Sequence, residues 1–214
     1  VGTYDGVFRS TDGGATFTPS QGFAPFAITA IEGPPGALAS GDLFVSGEYG
    51  VWRRTSTGNW LPVNNGMIGQ MAYMMSNLRV SPAYAQDGTL FVAANRMTGI
   101  GGLLYKSTDR GATWRLMASS AGVGPLILSP AYGADQTAFT VDYARVTKST
   151  DGGATWAIVP FWEGYTHSAR QLAISPAFAT DLRAFYDNLG IQATITQNDT
   201  VYQRSKRQSD NLRV

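Results

Sequence analysis

The sequence predicts an all-β chain built from repeated four-stranded antiparallel sheets. Three observations predict it. A turn motif recurs along the chain, a second phrase recurs between its copies, and no stretch of a dozen residues carries a convincing 3.6-residue apolar period.

The turn motif reads RSTDGGATF at 9–17, KSTDRGATW at 106–114 and KSTDGGATW at 148–156. Two degenerate copies are RRTSTGNW at 53–60, which keeps the aromatic and a glycine but no Asp, and VYQRSKRQSDN at 201–211. The aromatic ends Phe17, Trp60, Trp114 and Trp156 are spaced 42 to 54 residues apart. The second phrase reads LRVSPAYAQDGTLFVA at 78–93, LILSPAYGADQTAFTV at 126–141 and LAISPAFATDLRAFYD at 172–187.

Each unit therefore runs from an apolar strand through SPAY and an Asp-containing turn to two β-rich runs, then through the STDGG turn to a last strand. In the third unit the four strands are expected at 77–81, 89–94, 102–107 and 113–117. Four short strands per unit of this length are the signature of a β-propeller blade. The blades are expected at about 1–20, 21–63, 64–118, 119–159 and 160–214, as a single domain or part of one. The first unit shows only the end of its second strand, then its third and fourth. About four and a half blades are thus expected, either as an arc of a six- to eight-bladed ring or as a five-bladed ring. In an arc, the edge strands of the end blades would invite self-association.

The residues of the turn motif have local reasons to be there. Ser10, Asp12, Ser107, Asp109, Ser149 and Asp151 are of the types whose side-chain oxygens accept hydrogen bonds from nearby backbone N–H groups. A glycine such as Gly111 takes a positive φ without a Cβ penalty. The aromatic then opens the returning strand, where it can lie between sheets.

These residues resemble the Asp-box, or bacterial neuraminidase repeat, S-x-D-x-G-x-x-W. That family includes sialidases, xyloglucan-cleaving propellers, sortilin-type receptors and photosystem II assembly-factor propellers. The resemblance implies a propeller whose box turns lie on the rim, away from the binding face, with the six Ser and Asp residues structural. It does not imply catalysis, since enzymes and non-enzymes share the motif.

Strand order places the SPAY and STDGG turns at one end of each sheet and the remaining loops at the other, where propellers bind. The longest of these loops are 64–76, 95–101, 160–171 and 189–199. Loop 160–171 carries Phe161, Trp162 and Tyr165 beside Glu163, His167 and Arg170, a set suited to sugar rings or a partner's side chains. Loop 64–76 carries Tyr73 among Met67, Met71, Met74 and Met75, thioethers better suited to core packing than to contact. Arg96, with Asn95, is an expected anion contact on the same face. The ligand-binding candidates are therefore Trp162, Glu163, Tyr165, His167, Arg170, Arg96 and Tyr73.

Composition narrows the classes. The chain has 214 residues, a net charge of +1 and 14% charged residues, with no basic run for nucleic acid to follow. It has no cysteine and a single histidine, which removes disulfides, thiolate sites and multi-histidine metal sites. No stretch approaches a membrane span, and no cofactor is expected. Hydrolysis of a glycoside needs two placed carboxyl groups, for which Glu48, Asp142 and Glu163 are the acids to test. The arginine cluster and R-I-P phrase of sialidases are not found. The expected function is a non-catalytic binding or assembly module of an exported bacterial protein, extracellular or on the cell surface, that meets a glycan or protein partner through its loop face. The alternatives are a glycoside hydrolase fragment and a scaffold in a surface or photosynthetic assembly.

Overall fold

The protein's structure, a computed structural model, describes residues 1–20, 22, 26–34, 37, 42–67, 73–96, 102–120, 124–142, 145–159, 171–178, 184–188 and 191–195. The chain divides into two compact units, Val1–Val123 and Gly124–Val214.

The first unit holds three antiparallel sheets. Sheet 1 has β1 (Gly2–Thr3), β2 (Gly6–Arg9) and β3 (Thr18–Pro19). Sheet 2 has β4 (Ile28–Glu32), β5 (Phe44–Gly47), β6 (Gly50–Arg54) and β7 (Trp60–Pro62). Sheet 3 has β8 (Tyr73–Val80), β9 (Leu90–Arg96), β10 (Gly102–Ser107) and β11 (Arg115–Ser120). The second unit holds two more. Sheet 4 has β12 (Leu126–Leu128), β13 (Ala138–Asp142), β14 (Arg145–Ser149) and β15 (Ala157–Ile158). Sheet 5 has β16 (Gln171–Ile174), β17 (Ala184–Asn188) and β18 (Ile191–Ile195). Within every sheet, strands pair with their sequence neighbours. The four strands expected in sheet 3 are all present, but β8 begins at Tyr73, β9 runs on to Arg96, and β11 starts at Arg115, so Trp114 precedes the strand rather than opening it. Residues 73–76 are thus strand rather than loop, and a register shift between Ser76 and Arg79 accommodates the extra length.

The SPAY phrases close each first hairpin with a single helical turn, Tyr84–Asp87 in sheet 3 and Tyr132–Asp135 in sheet 4. Ser81 Oγ donates to Asp87 at 2.7 Å, and Asp87 accepts from the Thr89 N–H at 2.8 Å. Ser129, Asp135 and Thr137 repeat both bonds in sheet 4. Residues too polar for a core are therefore consumed locally, and the tyrosine between them turns inward and is fully buried in both copies.

Sheets in the first unit stack through alternating apolar faces. Val7, Val45 and Trp60 form one core, and Phe44, Leu78, Leu90, Tyr105 and Trp114 belong to a second. Met67 and Met75 are buried in that second core, so these two thioethers pack rather than contact solvent. In the second unit Phe139, Val141, Val146, Leu172 and Phe178 make the core. Burying each such side chain contributes about 1.5–3 kcal/mol. The outer strands β3 and β7 end in Pro19 and Pro62, residues that keep an edge from pairing further.

Candidate binding face and box turns

In each of the three full boxes, the serine hydroxyl accepts the N–H four residues on and donates to the aspartate. Ser107 takes the Gly111 N–H at 2.9 Å and gives its proton to Asp109 at 2.7 Å. Ser10 and Ser149 make the same pair of bonds. The aspartate then accepts the backbone N–H and the hydroxyl of the threonine four residues later: Thr16 for Asp12, Thr113 for Asp109 and Thr155 for Asp151. This threonine is part of the turn and was not singled out from the sequence, although it recurs in all three good copies. The degenerate box at 53–60 keeps the staple with hydroxyls alone. Thr55 accepts the Asn59 N–H at 3.1 Å and pairs with Thr57 at 2.8 Å.

Those hydrogen bonds stabilise the ionised carboxylates. The Thr155 hydroxyl and amide, with Ser149, lower Asp151 to about 2. Thr16 and Ser10 hold Asp12 lower still. Partial burial raises Asp109, but the Thr113 and Ser107 bonds outweigh it and the net shift is downward.

The two turn types of a sheet share one end and are bonded to each other. The Arg110 N–H donates to Gly88 O at 3.0 Å in sheet 3, and the Gly152 N–H donates to Gln136 O at 3.0 Å in sheet 4. Arg110 itself adopts φ 61°, where the other boxes have Gly13 and Gly152 at 72° and 73°. Its guanidinium reaches Ala85 O at 3.2 Å, lies 5.6 Å from the Tyr84 ring centre and comes within 4.0 Å of Asp42. Asp42 also holds Arg53 and the Tyr84 hydroxyl, which links sheets 2 and 3 at this end.

The opposite end of each sheet carries the other loops. Hairpins of two residues join β1 to β2 and β5 to β6. Tyr4 and Asp5 occupy the first, Glu48 and Tyr49 the second. Tyr4 is 88% exposed and Tyr49 52%. Phe26 is buried behind Tyr49, edge to face at 5.5 Å, and lies 4.3 Å from the ring of Trp52. Neither Asp5 nor Glu48 has an ion-pair partner among the described residues.

Of the ligand-binding candidates, Tyr73 and Arg96 are brought together. They are cross-strand partners at this end of β8 and β9. Asp142 is paired with Arg145 at the corresponding end of sheet 4. Trp162, Glu163, Tyr165, His167 and Arg170 lie outside the described residues. The structure adds Tyr4, Asp5, Phe26 and Tyr49, which the sequence did not flag because each hairpin taken alone is an ordinary turn. A recurrent tyrosine beside an acid in TYDG, GEYG and DYAR was the available signal. No group of three acidic or histidine side chains that suits a metal ion occurs among the described residues.

No protein-family model matches the chain, and no curated protein matches it in sequence. Solved structures do match. The extracellular domain of BT4673 from B. thetaiotaomicron aligns over 92% of this chain with a TM-score of 0.64 at 9% identity. Regucalcin, a calcium-binding protein from Agrobacterium tumefaciens, aligns over 84% with a TM-score of 0.57 at 13% identity. An oligogalacturonate lyase solved with manganese aligns over 83% with a TM-score of 0.55 at 10% identity. The fold is a β-propeller. Its antiparallel sheets are the blades, numbered as the sheets, and in sheets 1 and 2 the box turn and the hairpin tip lie at opposite ends. The chain spans 26%, 58% and 50% of the lengths of these three structures, respectively. No helix among the described residues is long and apolar enough to cross a membrane.

Proposed function

We propose that the chain is a non-catalytic Asp-box propeller module, exported from its cell, that binds a glycan or protein partner through the hairpin-tip face. One contrast carries the reading. The box carboxylates are occupied by their own turns, whereas the tips of blades 1 and 2 present exposed tyrosines beside carboxylates with no ion-pair partner among the described residues. The former are staples, so Ser10, Asp12, Ser107, Asp109, Ser149 and Asp151 have a structural role. The latter are contact chemistry, and the loop residues Trp162, Glu163, Tyr165, His167 and Arg170, with Tyr73 and Arg96, are proposed as further ligand-binding residues. Export is supported by the likeness to an extracellular domain. The fold does not choose between binding and catalysis, since its likenesses include a lyase and a calcium-binding protein.

A screen of immobilised glycans and candidate protein ligands tests this reading with two variants. Trp162→Ala is expected to weaken binding at least about tenfold, or roughly 1.4 kcal/mol, with little change in melting. Asp151→Ala is expected to lower melting and leave binding per folded molecule unchanged. The opposite pattern would overturn the assignment of faces. Turnover of sialyl or β-glucan substrates, lost in Glu48→Gln or in Glu163→Gln, would replace binding with hydrolysis.

A further inference from the structure

The hairpins of blades 1 and 2 both adjoin the start of β4. Gly2, two residues before Tyr4, packs so closely on Ile28 that a Cβ there would lie 2.5 Å from its side chain. A Cβ on Gly47, which opens the Glu48–Tyr49 turn, would lie 2.2 Å from Ala27 O. Both hairpins therefore flank the start of β4, where Phe26 supports Tyr49 from below. The glycines are what let the two tips approach the same strand.

From this geometry we infer that the two tips act as one patch, which recognises arginine or lysine side chains on an extended segment of a partner protein. The inference rests on the loop-face reading above and names the chemistry of its ligand. Charge decides the class. Asp5 and Glu48 give the two tips two negative charges, while the arginines of these hairpins, Arg9, Arg53 and Arg54, stand at the far ends of β2 and β6. An anionic ligand is repelled. A guanidinium or ammonium supplies only hydrogen-bond donors, which match carboxylates, and its charge is attracted to the exposed faces of Tyr4 and Tyr49. A neutral sugar would stack on the same rings but leave both charges uncompensated.

The test uses the full chain at low ionic strength with three probes: a Gly-Arg-Gly-Arg peptide, its citrulline analogue and cellohexaose. Binding is read by calorimetry or by chemical-shift changes at the tip residues. The arginine peptide is expected to bind and the citrulline peptide not. Tyr49→Ala should weaken arginine-peptide binding about two- to fivefold, as expected for an exposed cation–π contact. Tyr49→Phe should retain it, and Glu48→Gln should weaken it with no loss of melting temperature. Cellohexaose binding that falls in Tyr49→Ala, without peptide binding, overturns the cationic class while sparing the loop face. Peptide binding that ignores Tyr49→Ala but is lost in Trp162→Ala overturns this patch and again spares the face. If no probe binds, the inference fails.

Discussion

The boxes of blades 1 and 3 have nearly the same sequence and the same turn hydrogen bonds, yet one is exposed and the other is built into the core. Phe17 is 47% exposed, whereas Trp114 is 3% exposed and donates its indole N–H to Val63 O at 2.7 Å, in the segment following the preceding blade. Trp60 does the same toward Ser20 at 2.9 Å. A Cβ on Gly14 would meet nothing nearer than Phe17 at 4.0 Å, while one on Gly111 would press on Phe44, Leu90 and Val63. The comparison separates two contributions. The turn closes through its own Ser, Asp and Thr, and blade stacking then sets how much that turn matters to stability.

The largest break in the comparison is at the aromatic. Trp114→Ala should cost about 3–5 kcal/mol, since it empties a packed site and strands the Val63 carbonyl. Phe17→Ala should stay within about 1 kcal/mol, the behaviour of a surface position. Equal losses in chemical denaturation would show that the two boxes are energetically alike despite their different burial. Next comes the serine. Ser107→Ala leaves the buried Gly111 N–H unpaired and should cost about 1–3 kcal/mol, whereas Ser10→Ala lets water reach the Gly14 N–H and should cost less than half as much.

A smaller effect sharpens the role of Arg110. It sits in a left-handed conformation that costs a non-glycine residue roughly 1 kcal/mol, and its side chain ties Ala85, Tyr84 and Asp42 together. Arg110→Ala keeps the strain and loses the ties, so it should be less stable than Arg110→Gly by about 1 kcal/mol. A more stable alanine variant would mean that the backbone here is unstrained.

The smallest expected effect is in acid. Asp12, Asp109 and Asp151 all titrate lower in the folded chain than the ordinary 3.8. A depressed carboxylate stabilises the fold above its unfolded pKa, and that contribution disappears as pH falls through the folded value. Stability should therefore decline between about pH 4 and, for Asp151, about pH 2. Thr155→Val should bring the Asp151 titration, followed by NMR, back toward the ordinary value. An unmoved midpoint would exclude the threonine as the cause.

Much of the fold was legible because the repeats encode local, self-contained structures. A serine and an aspartate two residues apart close a turn wherever they occur, and SPAY closes its hairpin within nine residues. The methionines and tyrosine around Tyr73 fit either loop or strand, and only cross-strand pairing with Arg96 decides for strand. The lysine or arginine that opens most boxes also escaped notice. Arg53, Lys106 and Lys148 each lie opposite Phe44, Phe91 or Phe139 on the neighbouring strand and within 6 Å of that ring. Such a pair is 9 to 15 residues apart in sequence, so only strand register brings it together.

By itself the sequence determined the all-β class, the order of strands and the turn that each box forms, because these depend on residues within a few positions of one another. The tertiary structure alone decided which boxes carry stability and which tips form a surface. Both outcomes depend on contacts beyond a single turn: Trp114 against Val63 and Gly2 against Ile28 between blades, and Gly47 against Ala27 across two strands of one blade. Residues some twenty to fifty positions apart meet there through close packing, and close packing depends on the shape of the neighbour, which no local pattern records.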